Sequence, residues 1–136
     1  MHITNECDYA IRIVVCIAES GERIDAAAIS ERTGVPVRFA LKILRNLTAA
    51  GLIRSFKGTR GGYEMNRPPE EMSLYDIVRV VEGEYVFSRC LDAQGCNCSA
   101  NNCRSATCKS KKVFEEITAC VIDKLEHATI SSIMSE

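Results

Sequence analysis

The sequence predicts a mainly α protein with a small β-hairpin wing: a winged helix-turn-helix domain followed by a long C-terminal dimerisation helix. Three observations lead there. Three stretches with apolar residues at helical spacing are followed by two short strand-like runs around a glycine-rich turn. The third of those stretches is apolar on one side and basic on the other. A last long stretch, residues 113–128, is apolar on more than one side, which a small domain cannot hide by itself.

Each element has its own signal. Residues 5–20 carry Cys7, Ala10, Ile11, Val14, Ile17 and Ala18 at helical spacing, with Asn5 as the expected N-cap, Asp8 three residues on, and Gly21 as the stop. A second, shorter helix follows Asp25 as its N-cap and ends near Gly34. After "TGVP", Pro36 takes the first-turn position that tolerates proline, and the third helix runs to Ala50 with Gly51 as its C-terminal glycine. At about 100° per residue, Ala40, Leu41, Ile43, Leu44 and Leu47 define one side of it, and Arg38, Lys42 and Arg45 fall within about 60° of one another on the other side. The runs "LIRSF" and "YEMN", joined by "KGTRGG", form the hairpin, with Lys57 and Arg60 at its tip.

Beyond the hairpin, Pro68 and Pro69 open a linker, and Ser73 caps a helix through Val81, with Asp76 in the capping-box position and Gly83 as the stop. Val113, Phe114, Ile117, Cys120, Val121, Leu125 and Ala128 build the long helix, and Thr129 caps a last turn through Met134. The organisation expected from these signals is a head at 1–67, a linker and connecting helix at 68–89, a cysteine-rich loop at 90–108, and a dimerisation helix with a C-terminal turn at 109–136.

Composition narrows the function. The 136 residues suit one compact domain with an appendage. No apolar run approaches the roughly 20 residues needed to span a bilayer. Glu6, Asp8 and Arg12 interrupt the place where a signal peptide would need an apolar stretch, so the expectation is a cytoplasmic chain with no membrane partner. Residues 32–67 hold eight Arg or Lys against one acid, Glu64, a balance of +7; residues 68–136 hold seven against eleven, a balance of −4. The basic block suits a polyanion. Helix order, charge and wing together point to double-stranded DNA, with Arg38, Lys42 and Arg45 facing the major groove and the wing residues Lys57, Thr59 and Arg60 reaching along the backbone. No Ser/His/Asp set, paired catalytic carboxylates, P-loop or dinucleotide fingerprint is present, and no enzyme is expected.

The chain has eight cysteines, and five of them fall in "CLDAQGCNCSANNCRSATC", residues 90–108. In a reducing compartment such clustering points to metal or redox chemistry rather than to structural disulfides. Cys90, Cys96, Cys98, Cys103 and Cys108 are candidate thiolate ligands of an iron-sulfur cluster, because metal bonds repay the ordering of a loop that has almost nothing apolar to bury. Zinc is the alternative metal, although no C-x2-C knuckle is present, and a thiol-disulfide switch is a further one. A winged helix that binds protein, stabilised by zinc, is the reading from another class. Cys7, Cys16 and Cys120 lie in helical patterns and are expected to be small buried hydrophobes.

"MHITNECDYAIRIVVCIA", the stretch from "ISERTGVPVRFALKILRNL" through "AGLIRSFKGTRGGYEM" to "SLYDIVRVVEG", the late cysteines and the terminal helix together resemble the bacterial winged-helix iron-sulfur regulators of the IscR, NsrR and RirA type. The likeness covers essentially the whole chain. It implies a homodimeric transcription factor, often a repressor, whose C-terminal helices pair and whose cysteine loop holds a [2Fe-2S] or [4Fe-4S] cluster that responds to redox state, nitric oxide or iron supply. Aligning through "HATI" puts Cys108 at the family's third cysteine and Cys103 near its second, with Cys90 as the first. The loop here is longer and has Cys96 and Cys98 in addition, so a set built on Cys90 and Cys96 with one later cysteine stays open. Lys111 stands where some members have a histidine ligand. By the same resemblance Asp8 is a candidate carboxylate ligand contributed to the partner's cluster, in competition with a local role in capping its own helix.

Overall fold

A computed structural model describes residues 2–92 and 108–134 of the chain. The elements run α1 (Asn5–Ser20), α2 (Ala26–Thr33), α3 (Val37–Ala49), β1 (Ile53–Phe56), β2 (Gly62–Met65), α4 (Leu74–Glu82), α5 (Lys109–His127) and α6 (Ile130–Met134), with short 3-10 turns at Pro69–Glu71 and Arg89–Leu91. None of the described helices is long and apolar enough to cross a membrane.

Capping residues fix most of these boundaries. Asp25 caps α2, its carboxylate accepting from the Ala28 N–H at 2.8 Å, and Gly34 ends the helix in the left-handed conformation. Ser73 and Asp76 form the reciprocal capping box of α4. The Ser132 N–H donates to the Thr129 hydroxyl at 3.1 Å, which caps α6. At α1 the cap is Thr4 rather than Asn5: Thr4 has the extended backbone a cap needs, and its hydroxyl accepts from the Cys7 N–H, so Asn5 is the first helical residue. Pro36 likewise sits just ahead of α3, at its N-cap position, and the helix begins at Val37.

The core lies between α1, α2 and α3. Ile13, Val14, Ile17, Ile29, Val35, Ala40, Ile43, Leu44 and Leu47 form one buried cluster there. Met72, Ile77 and Ile130 join it, so the last helix also contributes to the core of the head. That return is held by backbone bonds: the Ile130 N–H donates to the Met72 carbonyl at 2.8 Å, and the Leu74 N–H to the Ala128 carbonyl at 2.9 Å. A second cluster joins Cys7 of α1 to Tyr75 and Val78 of α4, with Ile122 and Leu125 of α5 packed against it. Cys7 and Cys16 are buried as expected, whereas Cys120 is exposed, on the side of α5 turned away from Ile122 and Leu125.

β1 and β2 are antiparallel with Ile53 opposite Met65 and Phe56 opposite Gly62, and Ile24 adds a bridge to Tyr63 on the other edge of β2. This three-way pairing requires glycine at 62. Its φ is +151°, and a Cβ there would stand 2.7 Å from the Ile24 carbonyl oxygen. Gly62→Ala is therefore expected to destabilise the protein by about 1 kcal/mol or more, read as a lower urea midpoint at unchanged slope.

Burial pushes the Cys7 thiol up from 9.0 to about 11, and the carboxylates of Glu82 and Asp8 act in the same direction. The folded chain keeps this proton where the unfolded chain releases it, so the stabilisation is full below about pH 9 and is lost as the pH rises towards 11. Unfolding free energy measured by urea titration should fall across that window, and the fall should be shallower in Cys7→Ala.

Candidate nucleic-acid interface and cysteine loop

The position of α3 follows from its own pattern. Ala40, Ile43, Leu44 and Leu47 are buried against α1 and α2, which leaves Arg38, Lys42 and Arg45 on the exposed side. Leu41 departs from the expected core face and is exposed. At about 100° per residue it lies about 60° from Leu44 but only about 40° from Arg45, so rotation assigns it to the border of the basic stripe.

The cations of this region are not equivalent. Lys42 Nζ lies 3.2 Å from Glu6 Oε2 on α1, and Arg54 Nη2 lies 2.9 Å from Glu64 Oε1 directly across the hairpin. Glu64 also lies 3.8 Å from Arg23, so the one acid of the basic block is occupied within the wing. Arg38, Arg45, Lys57 and Arg60 are exposed and have no acidic partner among the described residues. Four net cations thus stand on α3 and the wing tip.

The wing tip turns through Gly58 to Gly61, closed by the Gly61 N–H donating to the Gly58 carbonyl at 2.9 Å. Lys57, Thr59 and Arg60 are all exposed there. Arg23, for which the sequence offers no signal, sets the wing's position. Its guanidinium lies 3.4 Å from the centroid of the Phe56 ring and donates to the Arg60 carbonyl at 3.1 Å. Arg23 lies 37 residues before Arg60, and no local pattern announces such a pairing.

The cysteine loop begins in the second 3-10 turn, which packs against α5, and ends at the start of α5. Cys90 lies half-buried in the second 3-10 turn, its thiol 3.3 Å from the Ser88 hydroxyl. Just ahead of it, the Phe87 ring meets the Phe114 ring at 5.3 Å, and the Phe87 N–H donates to the Thr118 hydroxyl at 3.1 Å. Cys108 is exposed and immediately precedes α5. Phe114 is six residues further on, about 9 Å along the helix. Cys96, Cys98 and Cys103 lie outside the described residues. Among the described residues no group of three or more His, Cys, Asp or Glu is gathered as a metal site. Cys90 and Cys108 are free thiols at the two described ends of the loop, and soft sulfur is the donor type that iron-sulfur clusters and zinc take.

Asp8 does not cap its helix. Thr4 holds that role, and the Asp8 carboxylate is half-exposed and pairs with Arg12 Nη2 at 2.6 Å, one turn along α1. The start of α1 is tied to α4 instead: the Thr4 N–H and hydroxyl both donate to Glu82 Oε1, at 2.8 and 2.7 Å.

The profile of the Rrf2 family, described as iron-dependent transcriptional regulator, matches residues 3–136. Protein aau3 of Rhizobium meliloti (strain 1021) is 34% identical over 99 residues, which cover 72% of this chain and 64% of aau3; the match thus spans less than two thirds of that relative's length. Among solved structures, CymR, described as the global cysteine regulator of B. subtilis, aligns with a TM-score of 0.79 at 20% identity, covering 99% of this chain and 97% of its own. IscR of T. potens aligns with a TM-score of 0.77 at 21% identity, covering 99% and 87%. At those identities the two structures establish the shared winged-helix fold. With nearly its whole length matched by the family profile, the chain belongs to the Rrf2 family of transcriptional regulators.

Proposed function

We propose that this regulator is a cytoplasmic homodimer that binds operator DNA as a repressor, and that an iron-sulfur cluster held by the cysteine loop controls its affinity. The observation that carries the DNA reading is the set of cations without an acidic partner among the described residues. Arg38 and Arg45 stand opposite the buried face of α3, and Lys57 and Arg60 stand at the wing tip with Thr59 between them. Such a surface suits a recognition helix in the major groove with the wing along the phosphates. Lys42 belongs to the same face but reaches DNA by exchanging Glu6 for a phosphate or base.

The second copy is assigned to α5. Ile122 and Leu125 are turned towards Cys7, Tyr75 and Val78, while Val113, Ile117 and Cys120 form another apolar strip about 140° away on the helix. Pairing two such strips joins two heads through the element beside which the cysteine loop begins and at whose first turn it ends.

The cluster ligands are drawn from Cys90, Cys96, Cys98, Cys103 and Cys108, and Asp8 is the candidate carboxylate ligand, for the partner's cluster. A bound cluster supplies metal-thiolate bonds that oxidants, nitric oxide or iron shortage can break. The chain's own part is mechanical. Phe87 and Thr118 fix the loop's start against α5, and Glu82, a few residues ahead, holds Thr4 at the start of α1. The same end of α1 bears Glu6, which touches Lys42 on the recognition face. Loop order and head geometry thereby share one set of interactions.

Binding of the chain to a DNA fragment from upstream of its own gene should weaken in Arg38→Ala/Arg45→Ala. The slope of log affinity against log salt should become shallower by roughly 2, about 0.9 for each phosphate that is no longer neutralised. An unchanged affinity and slope would remove α3 as the recognition element. Anaerobically purified protein should show visible absorption with stoichiometric iron and sulfide, abolished in Cys90→Ala and Cys108→Ala. A colourless protein with one zinc per chain would replace the iron-sulfur reading by the zinc one.

A further inference from the structure

Five large apolar side chains stand exposed among the described residues: Ile3, Val37, Phe39, Leu41 and Val113. Single exposed apolar residues are ordinary, but three of these five are on α3, whose opposite face is already buried. Phe39 is partly accounted for, since its ring lies 6.5 Å from that of Tyr9 on α1. Leu41 (42% exposed) and Val37 (45% exposed) lie one turn apart at i and i−4. Arg38 is three residues before Leu41 and Arg45 four after it, the spacings at which helical side chains are neighbours.

We propose that Leu41, with Val37 beside it, reads the 5-methyl group of a thymine in the major groove, while Arg38 and Arg45 hold the phosphates or guanine edges on either side. The inference rests on the DNA-binding reading above and adds a specificity element to it. The choice of occupant comes from the surroundings. An apolar protein groove placed over Leu41 would desolvate two guanidinium groups that have no acidic partner among the described residues, which is costly. DNA satisfies those cations with phosphates and guanine acceptors. In the major groove the thymine methyl is the feature that base edges offer to an apolar side chain. Leu41 is also the fifth residue of α3, within the N-terminal part of a recognition helix that approaches base edges.

The test uses the full chain and a pool of randomised duplex DNA. Bound sequences are selected, and each thymine of the selected consensus is replaced in turn by deoxyuridine, which removes only the 5-methyl group. At least one replacement is expected to weaken wild-type binding about fourfold, the scale of one buried methylene. Leu41→Ala is expected to bind the thymine and deoxyuridine duplexes equally, with the salt slope of the wild type. Leu41 is exposed and alanine is the best helix former, so thermal unfolding of this variant should match the wild type. A methyl effect that persists in Leu41→Ala, or no methyl-sensitive thymine at all, overturns the assignment of Leu41 and leaves DNA binding standing. Failure to select any sequence at low salt overturns the DNA-binding reading, and the Leu41 inference with it.

Discussion

The burial of one face of α3 is the constraint on which the rest depends. Ile43, Leu44, Leu47 and Ala40 are almost wholly removed from water against α1 and α2. Truncating one of the leucines or the isoleucine to alanine typically costs about 2–5 kcal/mol, which is a large part of a small domain's stability. That energy holds the helix in one rotational setting. Arg38 and Arg45 then have no direction but outward, and Leu41 comes with them. The exposed face is the remainder left by a packing requirement.

A second layer of interactions makes the head and the connecting helix one body. Cys7 packs on Tyr75 and Val78, Thr4 binds Glu82, and Ile130 returns from the far end of the chain into the core. Individually the polar links are modest, because exposed ion pairs and hydrogen bonds contribute about 1 kcal/mol or less. Their importance is positional. Glu6, Asp8 and Thr4 crowd the first turn of α1, where one residue touches α3, one pairs along α1 with Arg12, and one holds the end of α4. A displacement at that turn is felt in all three places.

Much of this was legible along the chain because it is local. Asp25, Ser73 with Asp76, Gly34 and Thr129 each act within a turn of themselves, and a cap or a stop needs no knowledge of the fold. The two-sided character of α3 was legible for the same reason. Where the sequence misled, the deciding partner was distant or the choice was close. Thr4 and Asn5 are both acceptable caps, and the hydrogen bonds from Thr4 to Glu82, 78 residues on, accompany the choice of Thr4. Leu41 is apolar and adjacent to core positions, yet its angle on the helix favours the arginines. Cys120 follows a helical apolar pattern, but α5 has two apolar sides and one chain covers only one of them.

The sequence by itself determined the kind of elements, their order, the separation of basic from apolar side chains on α3, and the grouping of five thiols in one segment, because periodicity, capping and composition are properties of neighbouring residues. Only the tertiary structure decided which cations are left without acids among the described residues, that Arg23 holds the wing over Phe56, that the cysteine segment starts beside α5 and ends at its first turn, and that Leu41 faces out with the arginines. The reason is physical. Charge pairing and burial depend on distance in space, and a chain's spacing along the sequence leaves that distance open until its apolar faces have been packed together.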